Sequence, residues 1–279
     1  HQQHPPKTFK TQIPLKLKTL LEDNSTFAVG HLALGYVTGK ASSKLLDVNV
    51  NLPLLFLASI ISDVDLLIPS LKHRGPTHSL TILFLIFIPA LMVYGKRAVP
   101  YFIAAIQHSL LGDYLTGGGT QLLWPITSNW YGAGIKITSL ANISLEWAFF
   151  LISLTIMFKT KDTWILFQHH PSNTLLLIPV FTVLLPPFFS FPLSVPLQLV
   201  IPHLAYLTLF ILSILIDLKS VKYNQHTNKN ITIFWVPRLE TNNVAKGTFQ
   251  IALTNAFQYL IMGIFYIVVT KTNALTPTD

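Results

Sequence analysis

The stretch SLTILFLIFIPALMVY, residues 79–94, contains no charged side chain, and beyond Gly95, Lys96 and Arg97 the chain runs uncharged again through AVPYFIAAIQHSLLG to Gly112. A helix crosses the hydrocarbon core of a bilayer with about 20 predominantly apolar residues. Comparable runs lie at 139–158, 173–190, 195–216 and 250–270, with shorter ones at 27–39 and 52–68. A backbone in lipid must satisfy its own hydrogen bonds, and these runs lack the alternation of a barrel strand, so helices are the solution. Composition agrees: 51% of the chain is hydrophobic and 11% is charged, against roughly 25% charged in soluble proteins. The expected fold is an all-α, polytopic transmembrane helical bundle of about seven to eight membrane helices, some short or proline-broken. Its expected location is integral to the cell (plasma) membrane.

Three regions follow from this pattern. Residues 1–26 form a polar, Lys-rich N-terminal tail. Residues 27–158 form a membrane domain that carries nearly all the unusual polar residues, and 159–279 supply C-terminal transmembrane helices with a polar connection at 217–249. The link at 95–97 is so short that 79–95 and 98–115 must form an antiparallel hairpin. The Gly-rich stretch 116–137, with two Trp and a Tyr, suits a loop at the membrane interface. The net charge of +8 comes from Lys and Arg spread among short connections. They flank membrane segments and make no nucleic-acid face, so lipid is the expected partner and nucleic acid is not. The chain has no cysteine, which excludes disulfides, thiolate metal sites and a Cys nucleophile. It also lacks G-x-S-x-G, H-E-x-x-H and Walker patterns.

Counting crossings places the unusual residues. If successive helices alternate in direction, His31, Asp63, Asp65, His73, His78, His108, Asp113 and Glu146 all fall near one membrane face. Ionisable groups in membrane helices are costly, so they pair, line a cavity or work. Any one of these residues alone reads as a cap or an interfacial polar group. Together they read as a ligand set for a divalent metal, Zn first, with Mn or Mg also admitted by the carboxylates. Asp63 and Asp65 are two apart, one suited to bind metal and the other to orient a histidine. His108 and Asp113 are five apart, about 140° around an ideal α-helix, and meet only if the helix unwinds near Gly112. In HRGPTHS, Gly75 and Pro76 make a turn and Thr77 is a natural N-cap for the helix that follows. Arg74 is either a membrane-surface anchor or a clamp for an anionic substrate. Glu146 is a ligand or a proton-transfer group. His169, His170, His203 and His226 join no constellation.

The motifs GHLALG (30–35), SDVDLL (62–67), HRGPTHSL (73–80) and QHSLLGDYLTGGGTQLLWPI (107–126), followed by a membrane glutamate, resemble the YdjM-type family of LexA-regulated, membrane-bound metal-dependent hydrolases. The resemblance covers about residues 27–150. It implies an integral membrane hydrolase using a divalent metal, with ligands at His31, Asp63, Asp65, His73, His78, His108 and Asp113. The expected activity is attack of a metal-activated water on an ester or phosphoester, of a lipid-like anionic substrate, with Asp113, Glu146 and Arg74 as catalytic residues. The competing reading is a transporter or scaffold whose metal is carried or structural.

Overall fold

The computed structural model describes residues 27–68, 71–115, 119–189 and 195–226. The expected N-terminal tail, the expected helix at 250–270 and most of the connection at 217–249 lie outside these residues. Among the described residues there is no strand, only an isolated antiparallel bridge between Thr120 and Tyr131.

The first helix, α1 (Ala28–Leu45), runs six residues past its expected end. The second, α2 (Leu52–Ser59), starts where Asn51 Oδ1 accepts from Leu54 N at 2.9 Å and Pro53 supplies a preset turn. It stops at Ser59, and the rest of the expected helix at 52–68 is a 3-10 segment, Ile61–Leu67. The hairpin expected at 79–115 is present as α3 (Leu80–Tyr94) and α4 (Val99–Gln107). The N-cap of α3 is Ser79, whose Oγ accepts from Ile82 N, and not Thr77. Thr77 is drawn away because its hydroxyl donates to Asp65 Oδ2 at 2.9 Å. The chain continues through α5 (Leu140–Lys159), the short α6 (Asp162–Leu166), a broken helical span Pro171–Phe188 and α7 (Val200–His226). The last of these runs ten residues into the stretch expected to be a polar connection.

Among the described residues, four segments are long and apolar enough to cross a membrane: Leu80–Arg97, Leu140–Lys159, Pro171–Phe188 and Leu197–Leu218. The arrangement inverts that of a water-soluble protein. The less apolar α1 sits at the centre, against α2, α4 and α5, and buries Val29, Leu32, Ala33 and Tyr36. The strongly apolar α3 buries only Leu83 and exposes Phe84, Leu85, Ile86 and Met92. Such a distribution is stable where the surrounding solvent is hydrocarbon. Tyr36, Phe56, Tyr206 and Phe210 stack in the middle of the bundle and tie α1, α2 and α7 together. This frame brings the start of α1, the end of α2 with its 3-10 extension, the turn before α3 and the end of α4 to one place.

Candidate metal centre

Asp63, Asp65 and His78 are buried and come from two 3-10 segments, Ile61–Leu67 and Pro76–His78. His108 and Asp113 bound a π-helical segment, His108–Asp113, at the end of α4. An i to i+5 backbone repeat returns to nearly the same face after five residues, which an α-helix does not. The widened turn is therefore what aims both side chains at one point, the unwinding that their spacing demands. Gly112 lies inside that turn, and a Cβ there would collide with the His31 ring. His31 itself stacks on His108, with ring centroids 3.8 Å apart.

The hydrogen bonds fix how the imidazoles face. Asp65 Oδ1 lies 3.1 Å from His73 Nδ1, and Asp65 Oδ2 lies 3.3 Å from His78 Nδ1. His108 Nδ1 donates to Ser59 O at 2.8 Å. With Nδ1 engaged by an acceptor, each ring in its neutral form presents the lone pair of Nε2. The Nε2 atoms of His73, His78 and His108 are buried and have no hydrogen-bond partner, and neither has Asp63 Oδ1. The two aspartates of SDVD thus divide the work: Asp65 orients histidines and Asp63 faces the centre.

Donor spacing tests the fit to a metal. Asp63 Oδ1 is 3.4 Å from His78 Nε2 and 3.2 Å from His108 Nε2, while Asp113 Oδ2 is 3.3 and 3.5 Å from the same two nitrogens. Ligand atoms bound at 2.0–2.1 Å around a tetrahedral ion are about 3.3 Å apart. His31 Nε2 adds a donor 3.7 Å from Asp113 Oδ1. Two sets of three, His31 with His108 and Asp113, and Asp63 with His73 and His78, each hold their ligand atoms within 4.8 Å of one another. Charge points the same way: the carboxylates of Asp63, Asp65 and Asp113 face a single guanidinium, and a divalent ion would offset the excess of negative charge. The residues present fit such an ion. At His78, burial opposes the charged ring, but the adjacent carboxylates of Asp63 and Asp65 outweigh it and push the pKa up to about 10, so a divalent ion binding at Nε2 would replace a proton there.

Arg74 is 3% exposed, which removes the surface-anchor reading. Its Nε stands 3.2 Å from Asp113 Oδ1. Its carbonyl accepts from Thr120 Oγ1 at 3.1 Å and Gln121 N at 3.0 Å, so the loop expected at the interface straps the HRGPTHS turn in place. Lys72, at the rim, lies with its ammonium 4.4 Å from the Trp130 ring centre. Glu146 is buried and joins neither set of three; its Oε2 accepts from the N of Gly30, the residue before His31, at 2.5 Å. Elsewhere, His203 Nε2 is bonded to Leu184 O, His169 pairs with Asp217 and His170 with Ser172. His226 is the last residue of α7, and its ring is not described.

Ser59, whose carbonyl orients His108, and the Thr120–Gln121 strap carry no sequence signal of their own. The π segment was visible only as the five-residue interval.

No curated protein and no solved structure matches the chain. The family described as YdjM inner membrane protein matches residues 27–192, more than half of the sequence and all of the polar centre. The chain therefore belongs to the YdjM inner membrane protein family and is an integral membrane protein.

Proposed function

We propose that the chain is a membrane hydrolase whose His and Asp side chains hold one or two divalent ions, Zn first, with Mn or Mg as alternatives. The observation that carries this reading is the convergence of the buried Nε2 atoms of His78 and His108, each set by an acceptor on its Nδ1, upon Asp63 and Asp113, with His73 grouped beside Asp63 and His78. His31, Asp63, His73, His78, His108 and Asp113 would hold the metal, and Asp65 would orient two of the histidines. Bound there, a divalent ion supplies a water ionised near neutral pH and an electrophile for the scissile group. The remaining roles fall to the chain. Asp113, paired with Arg74, and Glu146, bonded to the Gly30 amide, are the groups assigned to move protons. A rim with Lys72 and Trp130 at headgroup level suits an ester or phosphoester of a lipid-like, anionic substrate. The same reading keeps seven to eight membrane passes, with α1, α2 and α4 as short ones.

Two observations favour a structural or transported metal instead. His78, His108, Asp63 and Asp113 alone would complete a tetrahedron, as closed structural sites do, and the span Pro171–Phe188 is broken at bilayer depth. The test is elemental analysis of the detergent-purified protein beside the His73→Ala, His78→Ala double variant, followed by a screen of ester and phosphoester hydrolysis with and without chelator. Stoichiometric metal in the parent, lost in the variant, together with chelator-sensitive product release, is the expected result. Metal without hydrolysis, or metal flux in proteoliposomes, would transfer the site to the second reading, and no metal after reconstitution would end both.

A further inference from the structure

Resting on the hydrolase reading, we propose that the bond cleaved is a phosphoester and that Arg74 is the residue that receives a phosphoryl oxygen. Arg74 has a left-handed backbone, φ 62°, a region that non-glycine residues rarely adopt. Three hydrogen bonds hold it there: its N donates to Asp65 Oδ2 at 3.2 Å, and its carbonyl accepts from Thr120 and Gln121. Residues in such conformations concentrate where a side chain must be aimed. Here the result is a guanidinium buried beside the metal ligands, where a membrane-facing arginine would have reached for water.

That guanidinium is incompletely used. Nε faces Asp113, but neither Nε nor Nη2 makes a well-formed hydrogen bond, and both are buried. A guanidinium cannot shed its proton, and leaving a buried charged donor unsatisfied is costly. An anion at this position removes the penalty. A carboxylic ester offers only a neutral carbonyl oxygen, whereas a phosphoester brings permanently charged oxygens in the geometry that the planar fork of arginine fits. Lys72, two residues away on the rim, adds a second positive charge on the approach, and His73, with 24% of its side chain exposed, marks the side from which the centre can be reached.

The reaction balances without a further co-reactant. Water oxygen bonds to phosphorus, the bond between phosphorus and the ester oxygen breaks, and one water proton ends on the departing alcohol. Arg74 makes and loses no bond; it offsets charge on the phosphoryl oxygens as they crowd the centre.

The test uses the full chain in detergent, loaded with its metal, and titrates inorganic phosphate and orthovanadate by calorimetry. Arg74→Ala should retain the metal and weaken both anions by about tenfold or more, with Arg74→Lys in between. Turnover of phosphatidic acid in mixed micelles and of glycerol phosphate in solution then identifies the source: release from the first alone assigns a lipid headgroup, from the second alone a soluble ester. Metal-loaded parent that binds neither anion, equal affinity in Arg74→Ala, or loss of metal from both Arg74 variants would overturn the proposal. If carboxylic esters are hydrolysed in those cases, the hydrolase reading stands without it. Absence of metal from the parent sinks that reading first.

Discussion

Both ends of α1 bury charge, and they treat it differently. Near its C-terminal end, Asp162 is 1% exposed and fully engaged: Oδ2 accepts from Tyr36 Oη at 2.7 Å and pairs with Lys40 at 2.7 Å, and Lys40 Nζ also donates to Oδ1 at 2.9 Å. Near its N-terminal end, His31 joins a cluster whose inward atoms face one another at 3.2 to 3.7 Å, with Asp63 Oδ1 and the Nε2 atoms of His78 and His108 unbonded. A closed ion pair that satisfies its own donors is what a membrane fold needs to bury a carboxylate between helices. A cluster whose inward atoms have no well-formed hydrogen bond, while outer hydrogen bonds orient them, has an arrangement that could hold a metal ion. The two ends therefore differ in which of their atoms are used, and burial alone would not separate them.

The same residue type occurs at both ends, so the contrast can be broken directly. Asp63→Asn should abolish stoichiometric metal, weakening it at least about a hundredfold by removing a ligand oxygen shared by two histidines; metal content by elemental analysis reads this out. If Asp63→Asn keeps its metal, the open end is not a metal centre. The next largest effect belongs to Asp65→Asn, which leaves the inward ligands present but frees His73 and His78. Loss of such an orienting partner weakens metal affinity by about 10- to 100-fold, measured by competition with a chromophoric chelator. Asp162→Asn should do the opposite. It should keep the metal and lower stability by about 1–2 kcal/mol, since Lys40 retains partial contact with water; a lower thermal midpoint in detergent at constant metal content checks this.

Much of the open end was legible because its chemistry is rare in a membrane segment. Counting helix directions was enough to gather His31, Asp63, Asp65, His73, His78, His108 and Asp113 at one face, since a charged group in lipid has few bland explanations. The five-residue interval between His108 and Asp113 made their meeting conditional on an unwound turn, and the π segment that follows α4 supplies one. The closed end was not read at all. Asp162 and Lys40 fall in what the sequence reads as polar connections, where a charge is ordinary, and nothing local says that they meet 122 residues apart. Helix ends were misplaced for a related reason. Thr77 and Ser79 are equally good caps by propensity, and only the tertiary bond from Thr77 to Asp65 assigns the role to Ser79. Likewise, nothing in VKYNQH marks α7 as continuing to His226.

Glu146 stands between the two kinds of end, buried like Asp162 but bonded to one backbone amide, so the smallest predicted effect concerns its neighbour. A Cβ on Gly30 would lie 2.6 Å from Glu146 Oε1 and 2.8 Å from Oε2. The obstacle is the far end of a flexible side chain, which can swing away. Ala also favours a helix interior over Gly by about 1 kcal/mol. Gly30→Ala should therefore change stability by no more than about 1 kcal/mol and leave metal content intact, while displacing the carboxylate from its place beside His31. If Glu146 moves protons for the centre, turnover falls in Gly30→Ala and in Glu146→Gln alike, although the second keeps the shape of the side chain. Turnover unchanged in both would assign Glu146 to the closed kind, a helix-packing group that happens to lie near the site.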